Sequence, residues 1–225
     1  MTTGTGSVVF RLINMRVPLR AALIRNGLDA PLLVAHTHPI TNANPHAPSG
    51  VHLALTAREG GMLVQWTASR ESQQPRVAWG TDPEDLHTVA AGTSTTYTRE
   101  EMCGGYAATI GWMDPGTMQR VLLTGLPPDS EVYYTVGDAA LNTSSKVLRM
   151  RTPPRVGPDS HVRFFAIADM GQAEADGSNE MSEMPDSLTT VRRMLDDAEG
   201  RSLLIHNGVF SMFLPSGISH CVPTR

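Results

Sequence analysis

The chain has 225 residues, about one and a half times the ~150 residues of an average domain. A β-sandwich of ~100 residues fits this length, but a sandwich together with a complete large α/β catalytic domain does not. Eighteen Lys and Arg against 22 Asp and Glu give a net charge of −4, so no basic surface favours nucleic acid or anionic lipid. Twenty glycines and 16 prolines favour a turn-rich β protein over a helical bundle.

Membrane and secretion signals are not visible in the sequence. No apolar run approaches the ~18–20 residues of a membrane span. Residues 1–7 contain neither the basic nor the apolar region of a signal peptide. The two cysteines, Cys103 and Cys221, are too few and too far apart to indicate a disulfide framework or a zinc site. We therefore expect both to be incidental thiols.

Short strands separated by turns are predicted over the first ~155 residues. Two N-terminal runs of strand length, residues 8–13 and 32–35, precede a loop rich in Pro, Asn and His. Residues 52–56 place Leu53 and Leu55 on one face, residues 62–67 place Met62, Val64 and Trp66 on one face, and Gly60-Gly61 lies between them, which predicts a hairpin. Further strands are predicted at residues 76–80, 121–123, 132–137 and 147–151. Strands at this spacing are typical of an antiparallel β-sandwich.

A corner before the tyrosine-rich strand resembles that of a fibronectin type III fold. In that fold, a tyrosine on a late strand bonds back to the backbone of the corner. Leu126 and Pro128 match the corner, but Val132 occupies the usual position of the tyrosine. Tyr134 lies on the same face of the strand and is the candidate substitute.

A proline-rich linker at residues 153–160 separates this region from a different pattern, because three prolines in six residues fit neither a ladder nor a helix. Residues 162–168 form the apolar run expected of a buried parallel strand. Residues 188–198 place apolar side chains on one helical face, and residues 203–206 form a second apolar strand. We predict one strand–helix–strand unit, which is an incomplete α/β layer. Residues 207–225 show neither helical nor strand periodicity.

Nine segments show a recognisable family pattern, and five of them are residues 8–14, 42–45, 52–56, 64–67 and 79–81. Three are residues 96–99, 102–104 and 111–116, and the strongest is residues 169–180, placed directly after a strand. Together they resemble the plant-type purple acid phosphatases, in the branch with a fibronectin-like N-terminal domain ahead of a metallophosphoesterase domain. The resemblance covers roughly residues 7 to 206.

The resemblance implies a mainly β chain, in which a fibronectin type III-like antiparallel β-sandwich precedes an incomplete α/β (βαβ) metallophosphoesterase fragment. We expect an N-terminal strand region at 1–47 and the fibronectin III-like domain at 48–153. A linker at 154–160, the start of the metallophosphoesterase domain at 161–206 and a divergent tail at 207–225 follow. The missing later part of the fold predicts a truncated member of the family.

The resemblance also implies a site with two metal ions that hydrolyses phosphate monoesters. Two ions ~3.5–4 Å apart supply a hydroxide nucleophile and neutralise the phosphoryl oxygens. The family pairs iron with a second divalent metal, which is Zn, Mn or Fe. Hard ions of this kind prefer carboxylate, phenolate and imidazole ligands. By position in the family motif, Asp169 is the first ligand, on the iron side.

The second family motif departs from the pattern. Val209 stands where the family has the carboxylate that bridges both metals, and Met212 stands where it has the tyrosine ligand. The remaining three motifs do not occur in the sequence. We therefore assign no catalytic residue and expect no metal to be bound stably. True divergence, or a frame shift or retained intron near His206, would account for the abrupt end of the match.

Three functions remain open, so whether the chain is an enzyme is left undecided. The first is acid phosphatase activity on a phosphate monoester, as the family implies. The second is a non-catalytic fibronectin-like binding module, and the third is an inactive regulatory relative. We expect no nucleic acid partner and no membrane span, and the oligomeric state is open. Members of the family are typically secreted or vacuolar, and Asn142-Thr143-Ser144 is a glycosylation sequon that would be used only in the secretory pathway.

Two further sets of side chains have competing interpretations. His36 and His38 could present two imidazoles on one strand face, with His46 or His52 as a third metal ligand, although polar loop residues are the favoured interpretation. Trp66 and Trp79 have strand spacing, which favours core aromatics over a platform for sugars or bases.

Overall fold

The computed structural model describes residues 6–9, 14–168, 193–197 and 203–207. Two short 3-10 helices, Arg99–Glu101 and Gly105–Ala108, lie between β7 and β8, and residues 193–196 form a helical turn. The strands are β1 (Ala22–Arg25), β2 (Leu32–His36), β3 (Ser49–Leu55), β4 (Met62–Ala68), β5 (Pro75–Gly80), β6 (Thr88–Ala91), β7 (Thr93–Thr95), β8 (Thr117–Leu123), β9 (Glu131–Asp138), β10 (Thr143–Ser144), β11 (Leu148–Arg151), β12 (Phe164–Ala168) and β13 (Leu203–Asn207).

Two antiparallel sheets form the sandwich that the strand spacing predicts. One has the order β3-β4-β8-β7, and the other has the order β10-β9-β5-β6 with β11 also paired to β9. The predicted hairpin is β3–β4, whose turn includes Gly60 at a φ of 66°. The chain is therefore mainly β, as predicted. Among the described residues, no helix is long and apolar enough to cross a membrane.

The core lies between the two sheets because each strand alternates inward and outward side chains. On β4 the buried positions are Met62, Val64, Trp66 and Ala68. In the other sheet, β5 and β9 pair Val77 with Val136. All fully buried residues of the described part lie between positions 61 and 152, so the sandwich has a core of its own. Trp66 is 2% exposed and Trp79 packs at the edge of this core, which confirms both as core aromatics.

Several short strands were not predicted. Strands β6 and β7 have four and three residues, and each lies at the edge of its sheet, paired on one side only. Gly92 joins them, at the point where the chain crosses from one sheet to the other. Strand β1 pairs with β2 to form a hairpin whose residues are all exposed. Such segments bury little apolar surface, so their sequences show no clear periodicity.

The predicted N-terminal strand at residues 8–13 is wrong where it can be examined. Val8 and Val9 are in no strand and are 74% and 90% exposed. Residues 10–13 lie outside the described residues. An apolar run alone indicated a strand there, but in the part of the chain that the structure describes no strand pairs with Val8 or Val9.

The C-terminal part contains a two-stranded parallel sheet. Strand β12 pairs with β13 in the register Phe164↔Leu203 through Ala168↔Asn207. The predicted intervening helix, residues 188–198, is described only at 193–197, where the Asp197 N–H donates to the Arg193 carbonyl oxygen at 3.0 Å. Residues 152–163, between the sandwich and β12, form neither helix nor strand. The described residues thus contain the parallel strand pair but not a complete strand–helix–strand unit.

Candidate functional site

The parallel pair β12–β13 brings the carboxyl ends of two strands to one edge. The last pair in the register joins Ala168 to Asn207. In sequence, Asp169 follows β12 directly, and Val209 and Met212 follow β13. These three positions lie outside the described residues, so the roles that the family motifs assign to them stay predictions. His206, one residue before the end of β13, is half-buried and pairs in register with Ile167.

The alternative histidine site does not form in the described part of the chain. His36 and His38 are exposed, and the guanidinium of Arg20 lies 3.4 Å from Nδ1 of His36, where it would repel a cation. His46 and His52 bond elsewhere, to the hydroxyl of Ser69 and the carbonyl of Gly50 respectively. Within the described ranges, no group of three or more His, Cys, Asp or Glu side chains could hold a metal ion.

A serine, a histidine and a glutamate do meet at the end of β4, a cluster that sequence reasoning missed. Nδ1 of His46 lies 2.8 Å from Oγ of Ser69 and 3.7 Å from a carboxylate oxygen of Glu71. In a nucleophilic triad, the serine and the carboxylate contact opposite nitrogens of the imidazole. Here both approach the same nitrogen, so the cluster ties the loop containing His46 to β4 and does not activate the serine. No sequence signal marks it, because the residues are 23 to 25 positions apart.

The specific family segments at 96–99 and 111–116 contact one another. The rings of Tyr97 and Trp112 meet edge to face at 5.9 Å, and the guanidinium of Arg99 lies 6.0 Å from the centre of the Trp112 ring. The Thr96 hydroxyl donates to the Gly116 carbonyl oxygen at 2.5 Å. These segments thus organise the long connection between β7 and β8.

An ion pair joins the same connection to the end of β4. Nε of Arg70 donates to Oδ2 of Asp114 at 2.6 Å, and its terminal nitrogen donates to Oδ1 at 3.1 Å. Hydrogen bonds from Arg70 hold the pKa of Asp114 below its ordinary value, aided by the N–H of Gly116, although partial burial opposes them. Family-like residues of this connection therefore have a structural role that the motif alone did not reveal.

Cys103, in the same connection, is exposed and disulfide-bonded. The expectation of an incidental thiol at Cys103 is wrong. Cys221 lies outside the described residues, and the count of two cysteines could not decide whether Cys103 is bonded.

The corner beside the linker is held by a residue other than the expected tyrosine. Tyr134 is buried on the same face as Val132, as predicted, and burial raises the pKa of its phenol. Within the described residues, however, its hydroxyl makes no hydrogen bond. Instead, Oγ1 of Thr152 donates to the carbonyl oxygen of Pro127 and accepts from the N–H of Ser130.

A groove of about 680 Å³ lies where this corner meets the linker. Its walls are the β3–β4 turn at 58–61, the corner at 125–128 and the chain from 152 to 156. Two arginines, Arg58 and Arg155, line it. Because Glu59 also lines it, the groove offers charged surface of both signs and apolar surface at the end of the sandwich.

Comparisons with known proteins agree on one family. Residues 48–152 match the family described as purple acid phosphatase, N-terminal domain. "Probable inactive purple acid phosphatase 27" of Arabidopsis thaliana is 35% identical over 92% of this chain, and the match covers 35% of that relative. "Fe(3+)-Zn(2+) purple acid phosphatase 12" of the same plant is 26% identical over 57% of this chain and 24% of its own.

A solved structure gives the same result. The purple acid phosphatase isolated from yellow lupin (Lupinus luteus) seeds matches 87% of this chain with a TM-score of 0.75 and 34% sequence identity. That match covers 35% of the lupin chain, so the present chain spans about a third of the length of such relatives. Sequence motifs, sandwich architecture and relatives all lead to one conclusion: the chain belongs to the purple acid phosphatase family.

Proposed function

We propose that this protein is a purple acid phosphatase-like protein whose 225 residues do not by themselves assemble the site with two metal ions. The donor set is the observation that supports the proposal. Val209, at the position of the bridging carboxylate, has no lone pair to offer a metal. Met212, at the position of the tyrosine, offers a soft thioether, which suits Cu(I) rather than a hard iron(III) ion. Asp169 alone matches its family position.

The residues present therefore do not fit the iron and divalent metal pair of the family. Hydrolysis of phosphate monoesters remains the activity of the family, and relatives named as probable inactive show that the family also includes members of doubtful activity. One carboxylate without its partners binds a hard cation weakly, because too few oxygen ligands replace the hydration shell of the ion.

Iron content and phosphatase activity test the proposal together. We would purify the 225-residue chain and an Asp169→Ala variant, with the yellow lupin enzyme as positive control. Both forms of the chain are expected to contain well under one iron per molecule and to hydrolyse p-nitrophenyl phosphate no faster than buffer. If the unmodified chain retains stoichiometric iron that Asp169→Ala loses, or hydrolyses the ester faster than that variant, the proposal is overturned.

A second candidate is a non-catalytic binding module, and the distribution of buried residues favours it. In the described part of the chain, full burial is confined to residues 61–152, so the sandwich can act as an independent unit. The groove lined by Arg58 and Arg155 gives this unit a concave surface for a partner. A sandwich that remains folded after the linker is cut is what this function requires.

A further inference from the structure

Asn142 is the first residue of a three-residue motif that has no part in the proposed function. Asn142-Thr143-Ser144 is the single Asn-x-Ser/Thr triplet of the 225-residue chain, and its middle residue is not proline. This is the acceptor sequence for N-linked glycans, and in a folded secreted protein it belongs on an exposed loop. Because a motif of three residues often occurs by chance, its assignment as a glycosylation site also requires that the asparagine be exposed in the fold.

The structure places Asn142 at the end of an exposed turn, and Thr143 and Ser144 form β10. Residues 139–142 connect β9 to β10, and both Asn142 and Ser144 are exposed. Within the described part of the chain, the side chain of Asn142 makes no hydrogen bond. Its φ of 48° lies in the left-handed region, which asparagine tolerates better than most residues. An acceptor amide at this position is accessible from solvent.

The turn keeps its shape without the Asn142 amide. The carboxylate of Asp138 accepts hydrogen bonds from the backbone N–H groups of Ala140 at 2.9 Å and Leu141 at 3.0 Å. The hydroxyl of Thr143 accepts from the Asp138 N–H at 3.2 Å. A glycan on Asn142 would therefore displace no contact that holds the turn or the core.

A second observation concerns the compartment. Cys103 is disulfide-bonded, and structural disulfides persist in oxidising compartments such as the secretory pathway. N-linked glycans are attached in that same pathway. The disulfide at Cys103 therefore supports the compartment in which the triplet would be used, and it does so without reference to the triplet.

We propose that Asn142 is an N-linked glycosylation site and that the β9–β10 turn is glycosylated in the native protein. The proposal does not depend on whether the chain binds metal or hydrolyses phosphate esters. The glycan would cover one end of the second sheet and leave the linker groove free, because no residue of the turn lines that groove.

The test uses the full chain from its own cells and, in parallel, the chain expressed behind a cleavable secretion leader in a eukaryotic cell. Peptide mapping would measure glycan mass on the peptide that contains Asn142, before and after digestion with a peptide N-glycosidase, which leaves aspartate at position 142. We expect glycan on this peptide from both sources.

Two substitutions at one exposed position make a matched pair. Ser144→Ala removes the acceptor sequence and Ser144→Thr keeps it, while the backbone at Asn142 is untouched. Glycan should be lost in the first and retained in the second, with unchanged midpoints of urea unfolding. Asn142→Asp removes the acceptor and keeps a residue that tolerates a positive φ, should Ser144→Ala fail to be secreted. Unmodified protein from its own cells, or glycan that survives Ser144→Ala, overturns the proposal.

Discussion

At the scale of single residues, Asp138 shows how one buried charge can hold two connections. Its side chain is fully buried at the end of β9. One carboxylate oxygen accepts from the Ser72 hydroxyl at 2.9 Å and the Gln74 N–H at 2.7 Å. The other accepts from the turn that leads to β10. Burial by itself raises the pKa of Asp138, but the hydrogen bonds from Leu141, Gln74, Ser72 and Ala140 outweigh it and lower the pKa below its ordinary value.

We expect Asp138→Asn to lower the free energy of unfolding at pH 7 by about 2–4 kcal/mol, because an amide nitrogen cannot accept from two buried donors. The lowered pKa in the folded state gives the sign of the pH dependence. The stabilising effect of the carboxylate is fully present above the ordinary pKa of about 3.9 and is lost as pH falls through the lower folded-state pKa. The difference between the two proteins should therefore shrink in acid.

Urea unfolding at pH 7 and in acid measures this difference. Asp129→Asn is the matched control, because Asp129 is exposed and its ion pair with Arg151 is worth under about 1 kcal/mol. Equal stability of the two variants at pH 7 would contradict the role given to the Asp138 carboxylate.

At the scale of elements, Gly92 allows the chain to leave one sheet and enter the other. It separates β6, which pairs with β5, from β7, which pairs with β8. A Cβ atom at this position would lie 2.0 Å from the carbonyl oxygen of Arg120 and 2.6 Å from a methyl group of Val121. The sheets can approach this closely only because residue 92 has no side chain.

Gly92→Ala should lower the free energy of unfolding by about 1–3 kcal/mol, as expected for overpacking against backbone that cannot move freely. Thermal or urea unfolding would measure it. Gly157→Ala serves as control, because a Cβ there meets only the Ser160 hydroxyl at 3.8 Å, an ordinary contact. A Gly92→Ala protein as stable as the control would show that β6 and β7 adjust without cost.

At the scale of the whole molecule, burial is unevenly distributed. The sandwich encloses side chains such as Val64, Val121 and Val136 that are 0% exposed. In the β12–β13 sheet, Phe164 and Leu204 remain 51% and 47% exposed. A parallel sheet of two strands buries too little apolar surface to be stable without further layers.

Limited proteolysis should therefore cut first between residues 153 and 163, which form no regular structure, and leave a resistant N-terminal fragment. Mass spectrometry of the fragments over time would identify the cut sites. The time course of an Asp138→Asn protein is the comparison, since it should lose the resistant fragment faster. Early cleavage within β4 or β8 would contradict an independently stable sandwich.

The sandwich was predictable because alternation is a local signal. Met62, Val64 and Trp66 lie on one face of β4 at a period of two, and they face the core as that period requires. The edge strands β6 and β7 were not predictable, since their residues bury little on either face. The corner itself was predicted, but the prediction that Tyr134 hydrogen-bonds to its backbone was wrong. Instead, the hydroxyl of Thr152 donates a hydrogen bond to the carbonyl oxygen of Pro127, which is 25 residues earlier in the chain.

The candidate site divides in the same way. Sequence by itself determined that residue 169 is an aspartate and residue 209 a valine, from which the resemblance predicts a first ligand and a missing bridging carboxylate, because the identity of a ligand is a property of one residue. It equally determined that residues 142–144 form an acceptor triplet. Tertiary structure alone decided that Asn142 is exposed, that Cys103 is disulfide-bonded and that Asp138 is buried with its donors. The exposure of Asn142, the bonding of Cys103 and the burial of Asp138 depend on which distant segments meet, and the residues next to them in sequence do not contain that information.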